Sequence, residues 1–238
     1  MDSMLNGVNL PVMDKPQSVI AEQFKTIKTN INFMGIDKSM KTVAFISANI
    51  SEGKSTVSAN VAVASALEGK RVLMIDADFR RPTLHSTFNV SNRVGLTNLL
   101  TDDTWRQDVA TMVQATRIPN LEVLTVGDAG STVVKALSSQ RMHDVVELFK
   151  NQYDLVVLDV PPILEVTDTQ IVASMLDGIV LVVRAGATQK AAVRRAVEML
   201  EISKANLLGY VLNDVSAADD DGYGYGYGYG YGYGYGEE

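Results

Sequence analysis

The 238-residue sequence contains no cysteine, two histidines and one tryptophan. Without cysteine there is no disulfide framework, no cysteine-ligated zinc site and no thiol nucleophile. Two histidines, His85 and His143, leave little material for a histidine-rich metal centre. Lysine and arginine are outnumbered by acids, giving a net charge of −7. This balance does not suggest a nucleic-acid-binding surface, so we expect no nucleic-acid partner.

Long apolar runs are also missing. The longest apolar stretches, such as Ile179 to Val183, have the length of a strand, whereas a bilayer-spanning helix needs about 20 residues. The N-terminus reads Met1-Asp2-Ser3 and has no basic region followed by an apolar run. We therefore expect no signal peptide, no direct membrane insertion and a cytoplasmic location.

The charge and the aromatic residues are unevenly distributed along the chain. Residues 219–238 hold five acids, no lysine or arginine, seven of the nine tyrosines and eight of the 18 glycines. The rest of the chain is nearly neutral, with 23 acids against 21 bases. The chain therefore combines a neutral globular body with an acidic tyrosine- and glycine-rich tail.

This contrast predicts three segments. Residues 1–17, which contain Pro11 and Pro16, are expected to form an irregular arm. Residues 18–216 are expected to form the globular domain. Residues 217–238 have no apolar aliphatic residue after Ala218 and are expected to be disordered.

Short β-branched runs alternate with helical patterns through the body. The predicted strands are Thr42–Ser47, Arg71–Asp76, Leu121–Val126, Asp154–Asp159, Gly178–Arg184 and Leu207–Asn213. The predicted helices are Ser18–Met34, Lys54–Glu68, Ser131–Ser138, Arg141–Asn151, Asp168–Met175 and Thr188–Ser203. Strand interiors that are apolar without alternation fit a parallel sheet covered on both faces. The pattern predicts a doubly wound α/β domain with a mainly parallel sheet.

A phosphate-binding loop follows the first predicted strand. Residues 48–53 (the P-loop) lead into a helix that begins Lys54-Ser55-Thr56, so the pattern is Ala48-x4-Gly53-Lys54-Ser55. Backbone N–H groups and the helix N-terminus would bind a phosphate, Lys54 would neutralise the β and γ oxygens, and Ser55 would offer its hydroxyl to Mg2+. A polar turn with a chance Gly-Lys-Ser is the alternative, but a strand before and a helix after favour the P-loop. The predicted nucleotide-binding residues here are Ala48, Asn49, Ile50, Ser51, Glu52, Gly53, Lys54, Ser55 and Thr56.

Two further predicted strands end in acids. Asp76 and Asp78 close the second strand, and Asp159 closes the fourth. Ligands of open parallel sheets bind beyond the carboxyl ends of the strands, where a hydrated Mg2+ would need oxygen ligands. A single aspartate in such a place is more often a turn residue or a helix cap. Their agreement with the Gly-Lys-Ser pattern favours an Mg2+-nucleotide site.

Together these segments resemble the Walker A, A′ and B motifs of bacterial tyrosine kinases of capsule and exopolysaccharide synthesis. The matching residues are Gly53-Lys54-Ser55-Thr56, Val72 to Pro82 and Leu158-Asp159-Val160-Pro161-Pro162. The resemblance implies a P-loop kinase that uses ATP and Mg2+, with Lys54, Asp76, Asp78 and Asp159 as its catalytic residues. It implies Ser55, Asp76 and Asp159 as metal ligands, and Asn213 near the adenine. The chain departs from the family where Ile50-Ser51 replaces Pro-Gly.

The first long predicted helix resembles the subunit-contact motif of this family, with Glu22, Lys25 and Lys28 at the motif positions. The resemblance implies a ring-shaped homo-oligomer and a separate transmembrane adaptor, the polysaccharide co-polymerase, that holds the kinase at the inner face of the plasma membrane. A solvated helix face with local ion pairs is the alternative. Ile20, Phe24, Ile27 and Ile31 are expected to form the core-facing stripe of this helix.

The tail is the expected substrate. Its tyrosines, predicted to be phosphorylated, are Tyr223, Tyr225, Tyr227, Tyr229, Tyr231, Tyr233 and Tyr235. Alternating glycine gives each hydroxyl freedom to enter an active site, and other protein tyrosines are also expected substrates. A self-associating low-complexity segment is the alternative.

Two other functions stay open. One is a P-loop ATPase switch like those that partition plasmids or place division sites, although their hallmark lysine is replaced here by Asn49. The other is a non-catalytic regulatory subunit, which Ile50-Ser51 in the P-loop makes conceivable.

Overall fold

The computed structural model describes residues 7–35, 40–128 and 137–215. In chain order the elements are α1 (Pro11–Asp14), α2 (Val19–Met34), β1 (Thr42–Ser47), α3 (Lys54–Leu67), β2 (Val72–Asp76), α4 (Leu84–Phe88), α5 (Leu96–Thr101), α6 (Trp105–Met112), β3 (Gln114–Ala115), β4 (Leu121–Leu124), α7 (Gln140–Gln152), β5 (Leu155–Asp159), α8 (Asp168–Ser174), β6 (Gly178–Arg184), α9 (Lys190–Ile202) and β7 (Leu207–Asn213). Within these residues, no helix has the length and apolar character needed to cross a bilayer.

The strands form one sheet in the order β3-β4-β2-β5-β1-β6-β7. All neighbouring pairs are parallel except β3 with β4. Successive residues of β1 belong to different hydrophobic clusters: Ala44 and Ile46 pack in one, Val43 and Phe45 in the other. Since successive side chains point to opposite faces, the sheet has a core on each side. This confirms the predicted doubly wound, mainly parallel architecture.

The six predicted strands are confirmed to within two residues at each end. The helices α4, α5 and α6 and the short antiparallel strand β3 were not predicted. They are too short to show a helical period in the sequence, and tertiary contacts hold them through the buried side chains of Leu84, Leu96, Leu99 and Trp105. The predicted helix Ser131–Ser138 lies, apart from its last two residues, outside the described residues.

The prediction of an irregular arm before residue 18 is wrong for Pro11–Asp14, which forms α1. Proline is tolerated at the first position of a helix because its missing N–H would have no partner there. The turn packs on α3, where the Oδ1 atom of Asn60 accepts a hydrogen bond of 3.2 Å from the Val12 N–H. Leu10 and Val12 are buried, so this segment is part of the core. The tail, residues 217–238, lies outside the described residues.

Strand register brings the ends of three strands together. Asp76 at the end of β2 is paired with Asp159 at the end of β5, and Asp159 is paired with Phe45, two residues before β1 ends at Ser47. The P-loop leaves β1 at this same carboxyl edge. The edge therefore collects the P-loop and both acidic strand ends.

Candidate active site

Two residues of the P-loop have left-handed backbone conformations, Ser51 with φ of 60° and Gly53 with φ of 94°. Glycine is required at position 53 for a second reason. A Cβ atom there would lie 2.0 Å from Nδ2 of Asn213, which donates a hydrogen bond of 3.1 Å to the carbonyl oxygen of Glu52. Asn213, at the end of β7, therefore lies directly against the P-loop, as its predicted place at the site requires.

The Glu52 side chain lies inside the loop and is only 4% exposed. Its carboxylate accepts hydrogen bonds from the Ala48 N–H (2.9 Å), from Nδ2 of Asn49 (3.0 Å) and from the Thr188 hydroxyl (2.8 Å). Sequence reasoning gave Thr188 no role in the site. No sequence signal identifies it, because it is a single threonine before α9 and 136 residues from Glu52.

Lys54, the first residue of α3, points its amine at the two acidic strand ends. Its Nζ atom lies 2.9 Å from Oδ2 of Asp78, 3.3 Å from Oδ1 of Asp159 and 3.3 Å from Oγ of Ser55. Burial disfavours the charged amine, but Asp159 and Asp78 outweigh it and hold the pKa of Lys54 above its usual value. A permanently charged amine is what a phosphate-binding lysine needs.

Asp76 is completely buried and its position is fixed by backbone groups. Its Oδ2 atom accepts hydrogen bonds of 3.0 Å from the N–H groups of Thr83 and Leu84, which begin α4. Burial and the neighbouring charge of Asp159 raise the pKa of Asp76 to about 7. The short helix α4 thus orients this carboxylate toward the P-loop.

Asp159 has an incomplete set of partners. One carboxylate oxygen contacts Lys54, whereas Oδ2 is buried and accepts no hydrogen bond from the residues that the structure describes. Burial raises the pKa of this carboxyl above its usual range. An orphaned buried carboxylate oxygen is costly unless a ligand supplies a partner.

The site fits a Mg2+ ion that is bound together with a nucleotide. Asp76, Asp159 and the Ser55 hydroxyl offer oxygen ligands, and Oδ2 of Asp159 is free to coordinate. Across the described ranges, no group of three histidine, cysteine or acidic side chains could hold a metal alone. Mg2+ commonly takes one or two carboxylates and completes its shell with phosphates and water, so two carboxylates are enough.

An open cavity of about 320 Å³ lies over these groups. The P-loop residues Ser51 and Gly53 line one side, and Asp78, Arg81 and Thr83 line another. The structure therefore groups the P-loop, the predicted catalytic and metal-binding residues and Asn213 at the carboxyl edge of the sheet, where Lys54, Ser55 and Asp78 line the cavity and Asp76 and Asp159 are buried beside them.

The predicted subunit-contact motif on α2 lies away from this crevice, and its three residues do not share the same surroundings. The amine of Lys25 donates to Oε1 of Glu22 (2.6 Å) and to the Pro16 carbonyl (2.9 Å), and this pair is exposed. Lys28 is 6% exposed and pairs with Glu68 of α3. The helix therefore turns Lys28 toward α3, whereas Glu22 and Lys25 remain on the surface.

The expected apolar stripe of α2 also needs a correction at its first residue. Phe24 and Ile31 are buried, but Ile20 is 55% exposed and Ala21 is buried in its place. The capping bond from the Ala21 N–H to the Ser18 hydroxyl fixes the start of the helix and thereby its rotation. The seven predicted tail tyrosines lie outside the described residues.

Comparison with known proteins shows the family of the chain. The profile of the AAA_31 family, described as an AAA domain, matches residues 40–206. Tyrosine-protein kinase YwqD of Bacillus subtilis is 42% identical over 205 residues, covering 86% of this chain and 85% of that protein. The putative tyrosine-protein kinase CapB of Staphylococcus aureus is 37% identical over 204 residues, covering 86% and 88%.

The chain belongs to the bacterial tyrosine kinase family. Among solved structures, the kinase domain of the Escherichia coli tyrosine kinase ETK is similar, with a TM-score of 0.83, 28% identity and coverage of 93% of this chain and 86% of that one. The chimeric protein CapA2B2 has a TM-score of 0.79 and 33% identity, with coverage of 87% and 92%. The cell-division protein MinD of Pyrococcus horikoshii has a TM-score of 0.62 at 22% identity, covering 72% of this chain and 69% of that one, a likeness of fold alone.

Proposed function

We propose that this tyrosine kinase transfers the γ-phosphoryl group of ATP to tyrosines of its own C-terminal tail, and that this reaction regulates capsule or exopolysaccharide production. The observation that supports it most is the position of the Lys54 amine, between the carboxylates of Asp78 and Asp159 at the start of the helix that follows the P-loop. A charged donor beside paired acids fits phosphoryl transfer, which depends on positioning and charge stabilisation.

The P-loop and α3 bind the phosphates. The backbone N–H groups of residues 48–56 and the N-terminal end of α3 present partial positive charge, and Lys54 adds a full charge at the β and γ oxygens. Asn213, which contacts the loop through the Glu52 carbonyl, would also contact the adenine. These contacts hold the γ-phosphoryl group at the carboxyl edge of β2 and β5.

Asp76, Asp159 and Ser55 hold the Mg2+ ion that accompanies ATP. Held there, the ion would supply charge neutralisation for the phosphoryl group being transferred. Asp159 contributes Oδ2, which has no hydrogen-bond partner within the described part of the chain, and the N–H groups of Thr83 and Leu84 keep Asp76 in place.

Asp78 serves the acceptor tyrosine. Its Oδ1 atom accepts a hydrogen bond of 3.1 Å from the Arg81 N–H, which orients the carboxylate at the cavity wall. As the phenolic oxygen bonds to the γ phosphorus, the bond from phosphorus to the leaving ADP oxygen breaks and the phenolic proton passes to Asp78. The products are phosphotyrosine and ADP.

The tail supplies the acceptor hydroxyls, from Tyr223 to Tyr235. Taking Asn213 as the last fixed residue, Tyr235 is 22 residues away. A random coil of 22 residues has a root-mean-square reach of roughly 23–28 Å, the range over which a tail would reach a neighbouring subunit. A ring-shaped homo-oligomer, with Glu22 and Lys25 exposed for contact, would present tails in this way. Lys28 could join that contact only by leaving Glu68.

Phosphorylation would change the charge of the assembly. Each phosphotyrosine carries about −1.5 to −2 charges, so seven add roughly −10 to −14 to a chain at −7. The acids Asp219, Asp220, Asp221, Glu237 and Glu238 flank the tyrosines and strengthen the effect. Like-charge repulsion is therefore expected to loosen the ring, and equal sizes of the phosphorylated and unphosphorylated protein in low salt would contradict this.

A separate transmembrane adaptor, the polysaccharide co-polymerase, would place the kinase at the inner face of the plasma membrane. The proposal is supported by the similar chimera CapA2B2, whose name combines CapA with CapB, and CapB is also the name of a relative of this chain.

One experiment tests the function. Purified protein is incubated with γ-labelled ATP and Mg2+, with and without a cytoplasmic adaptor segment, beside a variant with all seven tail tyrosines changed to phenylalanine. Label that appears on the tail of the unaltered chain and is missing from the phenylalanine variant supports the kinase. Free phosphate without labelled protein would indicate an ATPase switch, and neither product would indicate a non-catalytic subunit.

A further inference from the structure

We propose that Thr188 is a positioning residue for nucleotide binding. Through its hydroxyl it fixes the carboxylate of Glu52, and through Glu52 it fixes the backbone of the P-loop in its phosphate-binding shape. The inference rests on the proposed function, since it concerns the loop that binds the phosphates of ATP. It adds a role for the segment between β6 and α9.

Glu52 collects three donors on two oxygens. Oε2 accepts from the Ala48 N–H, and Oε1 accepts from both Nδ2 of Asn49 and the hydroxyl of Thr188. An ionised carboxylate is acceptor-only and satisfies all three, whereas a glutamine would turn an NH2 group toward at least one donor. Because Glu52 is only 4% exposed, water cannot readily replace a hydrogen-bond donor that is lost.

The direction of the Thr188 hydroxyl proton is also determined. The Arg184 N–H donates a hydrogen bond of 2.9 Å to the Thr188 oxygen, so this contact uses the oxygen as an acceptor. A hydroxyl has one proton to donate, and the partner at 2.8 Å is Oε1 of Glu52. A charge-assisted bond of this length is stronger than an ordinary hydrogen bond. Thr188 thus ties the end of β6 to the P-loop.

The P-loop of this chain has a reason to need such support. Ser51 has a φ of 60°, a conformation that glycine adopts freely and that a residue with a Cβ atom adopts at a cost. The cost favours other loop conformations over the one that binds phosphate. Glu52 bonds to Ala48 and Asn49, which precede Ser51 in the loop, and to Thr188, which precedes α9. These three bonds offset the conformational cost at Ser51.

The effects of Thr188→Val and of Ser51→Gly on nucleotide affinity should therefore depend on each other. Apparent affinity equals intrinsic affinity multiplied by the fraction of molecules in the binding conformation. While Thr188 keeps nearly all molecules in that conformation, Ser51→Gly has little left to improve. After Thr188→Val the fraction falls, and the same Ser51→Gly change can then recover much of the lost affinity.

The test uses the full chain and the fluorescent nucleotide MANT-ADP with Mg2+. We expect Thr188→Val to weaken binding by about tenfold, as loss of a charge-assisted bond implies, and Thr188→Ser to stay within about twofold because it keeps the hydroxyl. Thr188→Ala should weaken binding as much as Thr188→Val. Ser51→Gly should improve the affinity of Thr188→Val by about threefold or more, and by a larger factor than it improves the affinity of the unaltered chain.

The matched control is Thr101→Val, which removes a hydroxyl that donates to the Thr97 carbonyl within α5 and should leave affinity unchanged. With kinase turnover as a second readout, Thr188→Val should raise KM for ATP and leave kcat nearly unchanged. A merely structural role would instead lower the urea midpoint without nucleotide and change kcat and KM together.

The proposal is overturned if Thr188→Val and Thr188→Ala bind MANT-ADP as tightly as the unaltered chain, or if Thr188→Ser is as weak as they are. Equal effects of Ser51→Gly in both backgrounds would overturn the coupling. In those cases continued tail labelling would leave the kinase function intact. If the unaltered chain binds no nucleotide, the proposed function fails as well.

Discussion

Two aspartates that lie at opposite ends of the parallel strands have contrasting surroundings. Asp177, just before β6, accepts hydrogen bonds from the N–H groups of Lys41 (2.9 Å) and Thr42 (3.0 Å) and from the Lys150 amine (2.6 Å). Asp159, at the end of β5, has one oxygen beside Lys54 and one with no hydrogen-bond partner among residues 7–35, 40–128 and 137–215. Both carboxylates are held by the fold, but only the first has a complete set of partners.

Their pKa values move in opposite directions. Burial opposes the charge of Asp177, but the bond from Lys150 and the two backbone N–H groups outweigh it and lower the pKa. Burial dominates at Asp159 and raises its pKa, although Lys54 acts against it. The difference separates a carboxylate that stabilises the fold from one that is kept available for a ligand.

The largest effect is expected from Lys54→Met, which keeps the length of the side chain and removes its charge. Tail phosphorylation should fall by about a thousandfold, because a preorganised charge in such a site stabilises the transition state by several kcal/mol. The measurement is the initial rate of label transfer at saturating ATP. A rate within about tenfold of the unaltered chain would contradict the role given to Lys54.

Asp159→Asn tests whether the carboxylate at the end of β5 serves activity rather than stability. Label transfer should fall by about a hundredfold or more, because the amide is a poorer Mg2+ ligand. The urea midpoint should not fall. The raised folded-state pKa means that the charged form costs stability as pH rises above the unfolded pKa, and the neutral amide does not incur that cost. A large loss of stability at neutral pH would contradict this.

Asp177→Asn should lower stability and leave activity unchanged, which is the reverse of Asp159→Asn. At pH 7 it should cost about 1–3 kcal/mol of the free energy of unfolding, because an amide cannot accept from all three donors, while label transfer stays unchanged. The folded-state pKa is lowered, so the contribution is present above the unfolded pKa and is lost as pH falls through the folded value. Urea unfolding at pH 7 and below pH 4 should therefore show a difference that shrinks on acidification.

The smallest effect on stability and activity is expected from changing a third aspartate, Asp154. Asp154 pairs with Arg71 (2.9 Å), and the hydrogen bonds from Arg71 lower the pKa of Asp154 to about 2. The two side chains are 44% and 64% exposed, so water screens the pair. Asp154→Asn should leave the urea midpoint and the rate of label transfer unchanged, and a midpoint shift as large as that of Asp177→Asn would contradict the role given to burial.

The sequence allowed the sheet and most of the site to be predicted because both depend on local patterns. Continuous apolar runs identified the central strands, and the strand ends at Asp76 and Asp159 placed two carboxylates at one edge. The helices α4 to α6 have no such pattern, since they are stabilised by packing rather than by periodicity. α4 matters most, because its N–H groups orient Asp76.

The surroundings of Lys28 and Thr188 depend on distant neighbours. Lys28 has the same spacing from Lys25 as Lys25 has from Glu22, and only its contact with Glu68 distinguishes it from an exposed motif residue. Thr188 has no motif at all, and its place depends on how β6 lies beside β1. Spacing along a helix predicts a face, but the neighbouring element decides what that face contacts.

By itself, the order of residues determined the parallel sheet, the position of the phosphate-binding loop and which acids lie near it, since apolar runs and short motifs act over a few neighbouring positions. Folding in three dimensions decided which oxygen of Asp159 is left without a partner, which lysine of α2 is buried, and that Thr188 holds Glu52. Those outcomes depend on burial and on angstrom-scale distances between residues far apart in the chain, which no local pattern encodes.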